Sequence, residues 1–181
     1  MYQETALGKE MWTGFLFYYR KKHYFCAMDK NKTYQLLVKQ VESLIEGENN
    51  PVGQLANAVA LLHETMGWWW TGFYMVHGDS LQLGVFQGPV ACYNIKRGRG
   101  VCGTAWEQDR TIVVPDVEQF PGHIACSSLS RSEIVVPLHD SQGRVAGVLD
   151  IDSKELATFD DVDAHWLEEI VRVITQHVTI E

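Results

Sequence analysis

Residues 134–151 read IVVPLHDSQGRVAGVLDI, two apolar runs separated by Asp140-Ser141-Gln142-Gly143. The β-branched residues of both runs favour strands, and the Asp and Gly between them are typical of a tight turn. The segment therefore predicts a hairpin of two antiparallel strands, 134–138 and 145–151. Because an isolated hairpin is only marginally stable in water, other parts of the chain must cover it.

Three segments upstream of the hairpin also have the composition of strands. They are WWWTGFYMV at 68–76, LQLGVFQ at 81–87 and TIVV at 111–114. The first two are joined by His77-Gly78-Asp79-Ser80, which predicts a second hairpin turn. Short connections of this kind favour a largely antiparallel sheet.

Apolar residues recur at helical spacing before and after these strands. The stripes consist of Leu36, Leu37, Val41, Leu44 and Ile45; of Leu55, Val59, Leu62 and Met66; and of Val162, Trp166, Ile170, Val173 and His177. Asn50 before Pro51 predicts the start of the second helix, and a capping box from Thr158 to Asp161 predicts the start of the third. Two helices, an antiparallel sheet and a final helix predict an α+β domain.

Composition excludes several classes of protein. The formal net charge of -8 and the pI of about 5.3 argue against nucleic-acid binding, which requires a basic surface. No apolar run approaches the roughly 18 residues of a membrane-spanning helix, so no membrane partner is expected. Four cysteines are too few for a secreted disulfide scaffold, and we therefore predict a cytoplasmic protein with free thiols.

The first 27 residues differ from the rest of the chain. They contain 8 of the 20 aromatic residues and carry four Lys/Arg against two Glu, a charge of +2 that leaves -10 for residues 28–181. We interpret 1–27 as an atypical extension, disordered or artefactual, and place a single domain at 28–181.

The glycine-rich stretch between residues 90 and 132 contains three of the four cysteines: Cys92, Cys102 and Cys126. It predicts irregular loops and a short helix, and such loops often carry function. Each thiol could be a buried small side chain, a nucleophile or a metal ligand, and a helix start after Gly98 would lower the pKa of Cys102. Only His123 and Cys126 are spaced as a pair of zinc ligands, so no metal site is expected.

Acidic and aromatic side chains also share strand faces. Asp150 and Asp152 are two residues apart and leave the same face of a strand, and Glu133 begins the preceding one. Like charges there would raise the pKa of one carboxyl or bind a cation, unless all are exposed. Trp70 and Tyr74 are four residues apart and therefore share one face of a strand. They are either core residues or a cage for a small group.

In order along the chain, seven blocks resemble the GAF-domain free methionine-(R)-sulfoxide reductases: WTGFY, FQGPVAC, GRGVCGTA, PDV, FPGHIAC, SEIVVPL and GVLDIDS. This resemblance implies a GAF-like fold with a six-stranded antiparallel sheet flanked by helices, and a homodimer. It implies reduction of free methionine-R-sulfoxide without a bound cofactor, with thioredoxin as external reductant. The main alternative is a GAF sensor of a small molecule or of redox state that is not an enzyme.

Carried over by position, the resemblance makes Cys92, Cys102 and Cys126 the redox cysteines. It places Glu133, Asp150 and Asp152 around the substrate, and Trp70 and Tyr74 beside its methyl group. We expect Cys126 to attack and Cys92 to resolve, with Cys102 as the alternative attacker and His123 as a nearby positive charge when it is protonated.

The carboxylates then have distinct predicted tasks. Lowering a thiol pKa by about two units yields only a few-fold in rate, because nucleophilicity falls with the pKa. A general acid contributes about 10² to 10⁴. We therefore predict that Glu133, helped by Asp150, protonates the sulfoxide oxygen, and that Asp152 binds the α-ammonium group of the free amino acid.

Overall fold

The computed structural model describes residues 29–124 and 128–180. The predictions for residues 1–27 and for Cys126 lie outside these residues. The described residues from Tyr34 onward belong to one compact unit. In the described part of the chain, no helix is long and apolar enough to cross a membrane.

The described residues form four α-helices and six strands. The helices are α1 (Lys30–Ile45), α2 (Pro51–Met66), α3 (Gly100–Gln108) and α4 (Asp161–His177); the strands are β1 (Trp70–His77), β2 (Ser80–Gln87), β3 (Asn94–Lys96), β4 (Ile112–Val114), β5 (Ser132–His139) and β6 (Val145–Ser153). A short 3-10 helix, Val117–Gln119, follows β4.

The strands form one sheet in the order β3-β2-β1-β6-β5-β4, and each neighbouring pair is antiparallel. This confirms the predicted α+β class with a six-stranded antiparallel sheet. The sequence pattern did not predict β3. That strand has only three residues, and Ile95 is the one of the three that is buried, so no alternating pattern is visible. Antiparallel pairing with β2 defines these three residues as a strand.

The two faces of the sheet belong to two separate apolar clusters, as the alternation of side chains in strands requires. Phe73, Leu149 and Ile151 face a core that includes residues of α2 and α4. Tyr74 and Val148 face the opposite side, where α3 packs. The single short helix α3 covers that second face, and the predicted site residues lie beneath it.

Two details of the helices differ from the sequence predictions. Asp160, not Thr158, caps α4: its side chain accepts from the backbone of Val162 and Asp163, while the Thr158 hydroxyl donates to Ser153 Oγ at 2.7 Å. In α1, Leu36 and Leu44 are exposed. The buried stripe of that helix instead contains Tyr34, Leu37, Val41 and Ile45, because a spacing of three and four residues returns to one face.

Candidate active site

A pocket opens between α3 and the sheet, and concave clefts of this kind are where small molecules usually bind. Six of the eight predicted site residues line it: Trp70, Tyr74, Cys102, Glu133, Asp150 and Asp152. Cys92 lies next to the aromatic wall, where its carbonyl accepts a 3.1 Å hydrogen bond from the Tyr74 hydroxyl. Cys126 falls outside the described residues.

Strand register brings the three carboxylates together. Glu133 of β5 pairs with Asp152 of β6, and Asp152 pairs in turn with Trp70 of β1. Asp150 pairs with Gly72, which offers no side chain. Cross-strand partners share a face, so residues distant in sequence form one polar floor beside one aromatic wall.

The aromatic wall is a stack of three rings. Trp70 stacks on Tyr74 with centroids 5.9 Å apart and on Phe86 at 5.4 Å. Its indole nitrogen donates to the Pro89 carbonyl at 3.1 Å, which fixes the ring. A Cβ on Gly72 would approach the Trp70 ring to 2.5 Å, so this position requires glycine.

Cys102 lies in the first turn of α3, over the carboxylates. Its side chain is 4% exposed, and its Sγ is 3.8 Å from Glu133 Oε1. Burial first, and then the charges of Asp150 and Glu133, raise the pKa of this thiol well above its ordinary value. The predicted lowering at a helix N-terminus is wrong, because loss of hydration and two nearby acids outweigh the helix dipole.

Glu133 and Asp150 are each 6% exposed. Burial raises the pKa of both carboxyls well above their ordinary values, and neighbouring carboxylates raise them further. The two groups also hydrogen-bond to each other. Burial thus favours the protonated form of this pair, which is the direction of pKa shift predicted for Glu133.

Asp152 occupies a more accessible position at the pocket. Burial raises its pKa to about 6, and a hydrogen bond with Ser130 opposes that rise. Asp152 is therefore mostly ionised at pH 7, whereas burial favours the neutral form of Glu133 and Asp150. Three carboxyls of similar chemistry thus divide into an acidic pair and a single anion.

His123 lies beside this cluster, with its Nε2 3.9 Å from Glu133 Oε2. Desolvation lowers its pKa from 6.5, so the imidazole is mainly neutral at pH 7. The positive charge expected of protonated His123 therefore requires a pH below its lowered pKa. A neutral ring at this position can accept or donate a hydrogen bond, and it can also bind a metal ion.

The cysteines differ in state. Cys92 is disulfide-bonded. Cys102 is the free cysteine in the described part of the chain. The sulfur chemistry of this protein thus includes at least one disulfide next to the pocket and one reduced, buried thiol within it.

Sequence reasoning missed several residues of the site. Phe86 and Ser130 support Trp70 and Asp152, while Val90 and Ile124 close the pocket edge. Phe86 belongs to one of the blocks that resemble the reductase family, FQGPVAC, so it could have been predicted as a site residue from the sequence. Ser130 lies in a serine-rich loop with no periodicity, and only the fold brings it to Asp152.

Comparisons with known proteins agree with this arrangement. The model of the GAF domain matches residues 50–178. GAF domain-containing protein A of Dictyostelium discoideum is 53% identical over 80% of this chain and 92% of its own length. A free methionine-R-sulfoxide reductase of Escherichia coli is 43% identical over 80% of this chain and 87% of its own.

A solved structure gives the same result in three dimensions. The free methionine-R-sulfoxide reductase of Neisseria meningitidis, determined by X-ray in complex with its substrate, superposes with a TM-score of 0.81. It is 51% identical and covers 83% of this chain and 91% of its own. The residues that match the GAF family model, 50–178, include all six strands of the sheet.

Proposed function

Because this chain belongs to the GAF family and, within it, to the free methionine-R-sulfoxide reductases, we propose that it reduces free methionine-R-sulfoxide to methionine. The observation that carries the proposal is the pair of Glu133 and Asp150, buried in a pocket with an aromatic wall and a neighbouring disulfide. A sulfoxide oxygen needs a proton donor, and burial raises the pKa of both carboxyls and so favours their protonated form.

In the first step, the thiolate of Cys126 attacks the sulfoxide sulfur while the oxygen takes a proton from Glu133. The sulfur of the substrate is reduced, methionine leaves, and the cysteine becomes a sulfenic acid. Asp150 assists because it hydrogen-bonds to Glu133 and shares its proton. Proton donation of this kind supplies about 10² to 10⁴ in rate.

In the second step, the thiol of Cys92 attacks the sulfenic sulfur, forms a disulfide with Cys126 and releases water. Two thiols are thereby oxidised for each sulfoxide reduced. The disulfide state of Cys92 supports its role as the resolving residue. A dithiol protein, thioredoxin, then reduces the disulfide by thiol exchange.

Cys102 has a supporting task in this scheme. The thiolate is the nucleophilic form of cysteine, and burial beside two acids disfavours that form at Cys102. Its thiol instead contacts Glu133 Oε1 at 3.8 Å. We assign Cys102 as a positioning residue for the proton donor and leave the attack to Cys126.

Substrate binding uses the remaining anion and the aromatic wall. Asp152 is ionised above a pH of about 6, so it can pair with the α-ammonium group of a free amino acid. A methionine within a polypeptide has no such group. Trp70 and Tyr74 contact the methyl group, which is apolar and carries partial positive charge in a sulfoxide.

The enzyme works without a bound cofactor, as a homodimer in the reducing cytoplasm, where thioredoxin is available. These parts of the proposal come from the family resemblance. Light scattering of the purified protein tests the dimer, and a mass equal to one chain would exclude it.

The activity is tested by coupling purified protein to thioredoxin, thioredoxin reductase and NADPH. We expect NADPH oxidation with free methionine-R-sulfoxide, and little with the S epimer or with a peptide-bound sulfoxide. Turnover that is absent with the R epimer, or equal with the peptide, would contradict the proposed function.

A further inference from the structure

Three side chains of the site have the chemistry and spacing of metal ligands. Cys102 Sγ and carboxylate oxygens of Glu133 and Asp150 all lie within 4.8 Å of one another, and all three residues are buried. A tetrahedral zinc ion with bonds of about 2.3 Å to sulfur and about 2.1 Å to oxygen separates those ligands by about 3.6 Å. The Cys102 Sγ to Glu133 Oε1 distance of 3.8 Å is close to that edge.

A second observation points to a ligand. Asp150 Oδ1 is the buried side-chain polar atom that lacks a hydrogen-bond partner among the residues that the structure describes, and Asp150 is 6% exposed. An unpaired buried acceptor costs free energy unless a donor or a cation meets it. Asp150 also lines the pocket, and one of its carboxylate oxygens lies within 4.8 Å of Cys102 Sγ and of a Glu133 oxygen.

We propose that Cys102, Glu133 and Asp150 bind a thiophilic divalent cation, with Zn²⁺ as the ion that fits the donors. One sulfur and two carboxylate oxygens suit zinc, whereas Ca²⁺ and Mg²⁺ require six or more oxygen ligands. His123, whose Nε2 lies 3.9 Å from Glu133 Oε2, or a water molecule completes the tetrahedron. This set of ligands includes neither Cys92 nor Cys126. It therefore differs from a zinc site built from closely spaced cysteines, which the spacing along the chain argued against.

Binding of the ion changes the state of the pocket. The ligands must be deprotonated, so the metal displaces the protons held by the thiol and by the carboxyl pair. It also occupies the floor between the carboxylates and the aromatic wall. If the proposed function holds, zinc therefore inhibits turnover in competition with the sulfoxide, because both need Glu133.

The binding test uses the disulfide form of the whole protein, in which Cys92 cannot contribute a thiol. Co²⁺ is titrated in as a spectroscopic substitute for Zn²⁺. We expect a thiolate-to-cobalt charge-transfer band in the near ultraviolet that saturates at one equivalent and disappears when Zn²⁺ is added. The band reports a bond to sulfur directly and does not depend on turnover.

Three variants locate the ion. Cys102→Ser should abolish the band, and Asp150→Asn should weaken affinity at least about tenfold. His139→Asn is the matched control, because His139 contacts Asp109 at 2.7 Å on the surface and should bind cobalt no differently from wild type. A band that persists in Cys102→Ser, or equal affinity in Asp150→Asn, would overturn the proposal.

A stability measurement covers the case in which Cys102→Ser does not fold. Ligands that bind only the native state raise the melting temperature, so Zn²⁺ should stabilise wild type and His139→Asn to the same extent and Asp150→Asn clearly less. Equal stabilisation of all three would contradict the site. If zinc binds as expected but no variant or wild type turns over sulfoxide, the metal site stands and the proposed function fails.

Discussion

At the scale of single residues, the site divides its titratable groups by burial. Burial raises the pKa of the enclosed Glu133 and Asp150 and favours their protonated forms, while the more accessible Asp152 has a pKa of about 6. The difference arises from hydration and neighbouring charge, since the intrinsic acidities of the three groups are similar. One pocket can therefore donate a proton and bind an ammonium group at the same pH.

Asp152→Asn tests the ammonium role. We expect KM for free methionine-R-sulfoxide to rise about 10- to 100-fold, equivalent to about 1.4 to 2.7 kcal/mol, with a smaller change in kcat. Wild-type kcat/KM should fall as pH is lowered through about 6, because protonation of Asp152 removes the anion. The variant should lose that acidic limb of the profile.

An N-acetylated substrate provides the control for Asp152, because it lacks the ammonium group. Wild type and Asp152→Asn should show similar KM values for this substrate. Without the ammonium group, Asp152 has no partner in the substrate, so removing its charge has no further effect on binding. An unchanged KM of the variant for the free amino acid would show that Asp152 does not bind the ammonium.

The cysteine assignments are tested by Cys102→Ser and Cys126→Ser. Loss of the attacking thiol should reduce kcat by about 10³-fold or more, whereas Cys102→Ser should retain activity within about tenfold because serine can still donate to Glu133. A dimedone-type probe should label Cys126 in a Cys92→Ser enzyme after one turnover. Labelling at Cys102 in a Cys126→Ser enzyme would reverse the order.

At the scale of elements, adjacent strands hold the site and α3 covers it. Gly103 of α3 lies directly against the Lys96 carbonyl of β3, and its own carbonyl accepts from Gly98 N at 2.8 Å. This close contact fixes the height of α3 above the carboxylates. Glycine is required there because a side chain would collide with backbone, which cannot move aside.

Gly72→Ala in β1 tests the aromatic wall. The new Cβ would lie 2.5 Å from both Phe86 Cβ and a Trp70 ring carbon, so the indole must move. We expect KM to rise about tenfold, the equivalent of about 1.4 kcal/mol, together with a change in tryptophan fluorescence.

Gly78→Asn is the control for the strand substitution. Gly78 is in the β1–β2 turn with a φ of +62° and nothing within 4 Å of a Cβ, and asparagine tolerates that conformation. Its KM should match wild type. A normal KM in Gly72→Ala would show that the position of Trp70 does not affect substrate binding.

At the scale of the whole molecule, the buried acids cost stability. Burial raises the pKa of Glu133 from an ordinary value of 4.5, so the folded protein binds a proton that the unfolded chain releases. The free energy of unfolding contributed by this group therefore falls as pH rises from about 4.5 to the raised pKa. The slope is at most about 1.4 kcal/mol per pH unit.

Glu133→Gln should remove that penalty. We expect the variant to be less active, yet more stable than wild type at pH 7 to 8, with a stability advantage that shrinks as the pH is lowered towards 4.5. Urea denaturation of both proteins across this pH range measures the difference. A variant that is less stable at pH 8, or an advantage that is independent of pH, would show that Glu133 is not a protonated buried acid.

The sequence by itself predicted most elements of the fold, because hydrophobic periodicity and turn residues are local signals. These signals predicted the hairpin at 134–151, the start of α2 at Asn50-Pro51 and the class of the sheet. The alternation of side chains along a strand was enough to predict that Asp150 and Asp152 share a face. The short strand β3 and the exact cap at Asp160 did not follow, since pairing partners and competing hydrogen bonds determine them.

Tertiary structure alone decided the chemistry of the site. Sequence placed Cys102 at a helix start, which predicts a more acidic thiol, but burial over Glu133 and Asp150 raises its pKa instead. Likewise, only strand register sets Glu133 beside Asp152 and leaves Asp150 Oδ1 without a partner. The sequence contains residue type and spacing, which determine local structure. The hydration of a buried group and the distances between charged groups, which determine pKa, are set only when strands distant in sequence have paired.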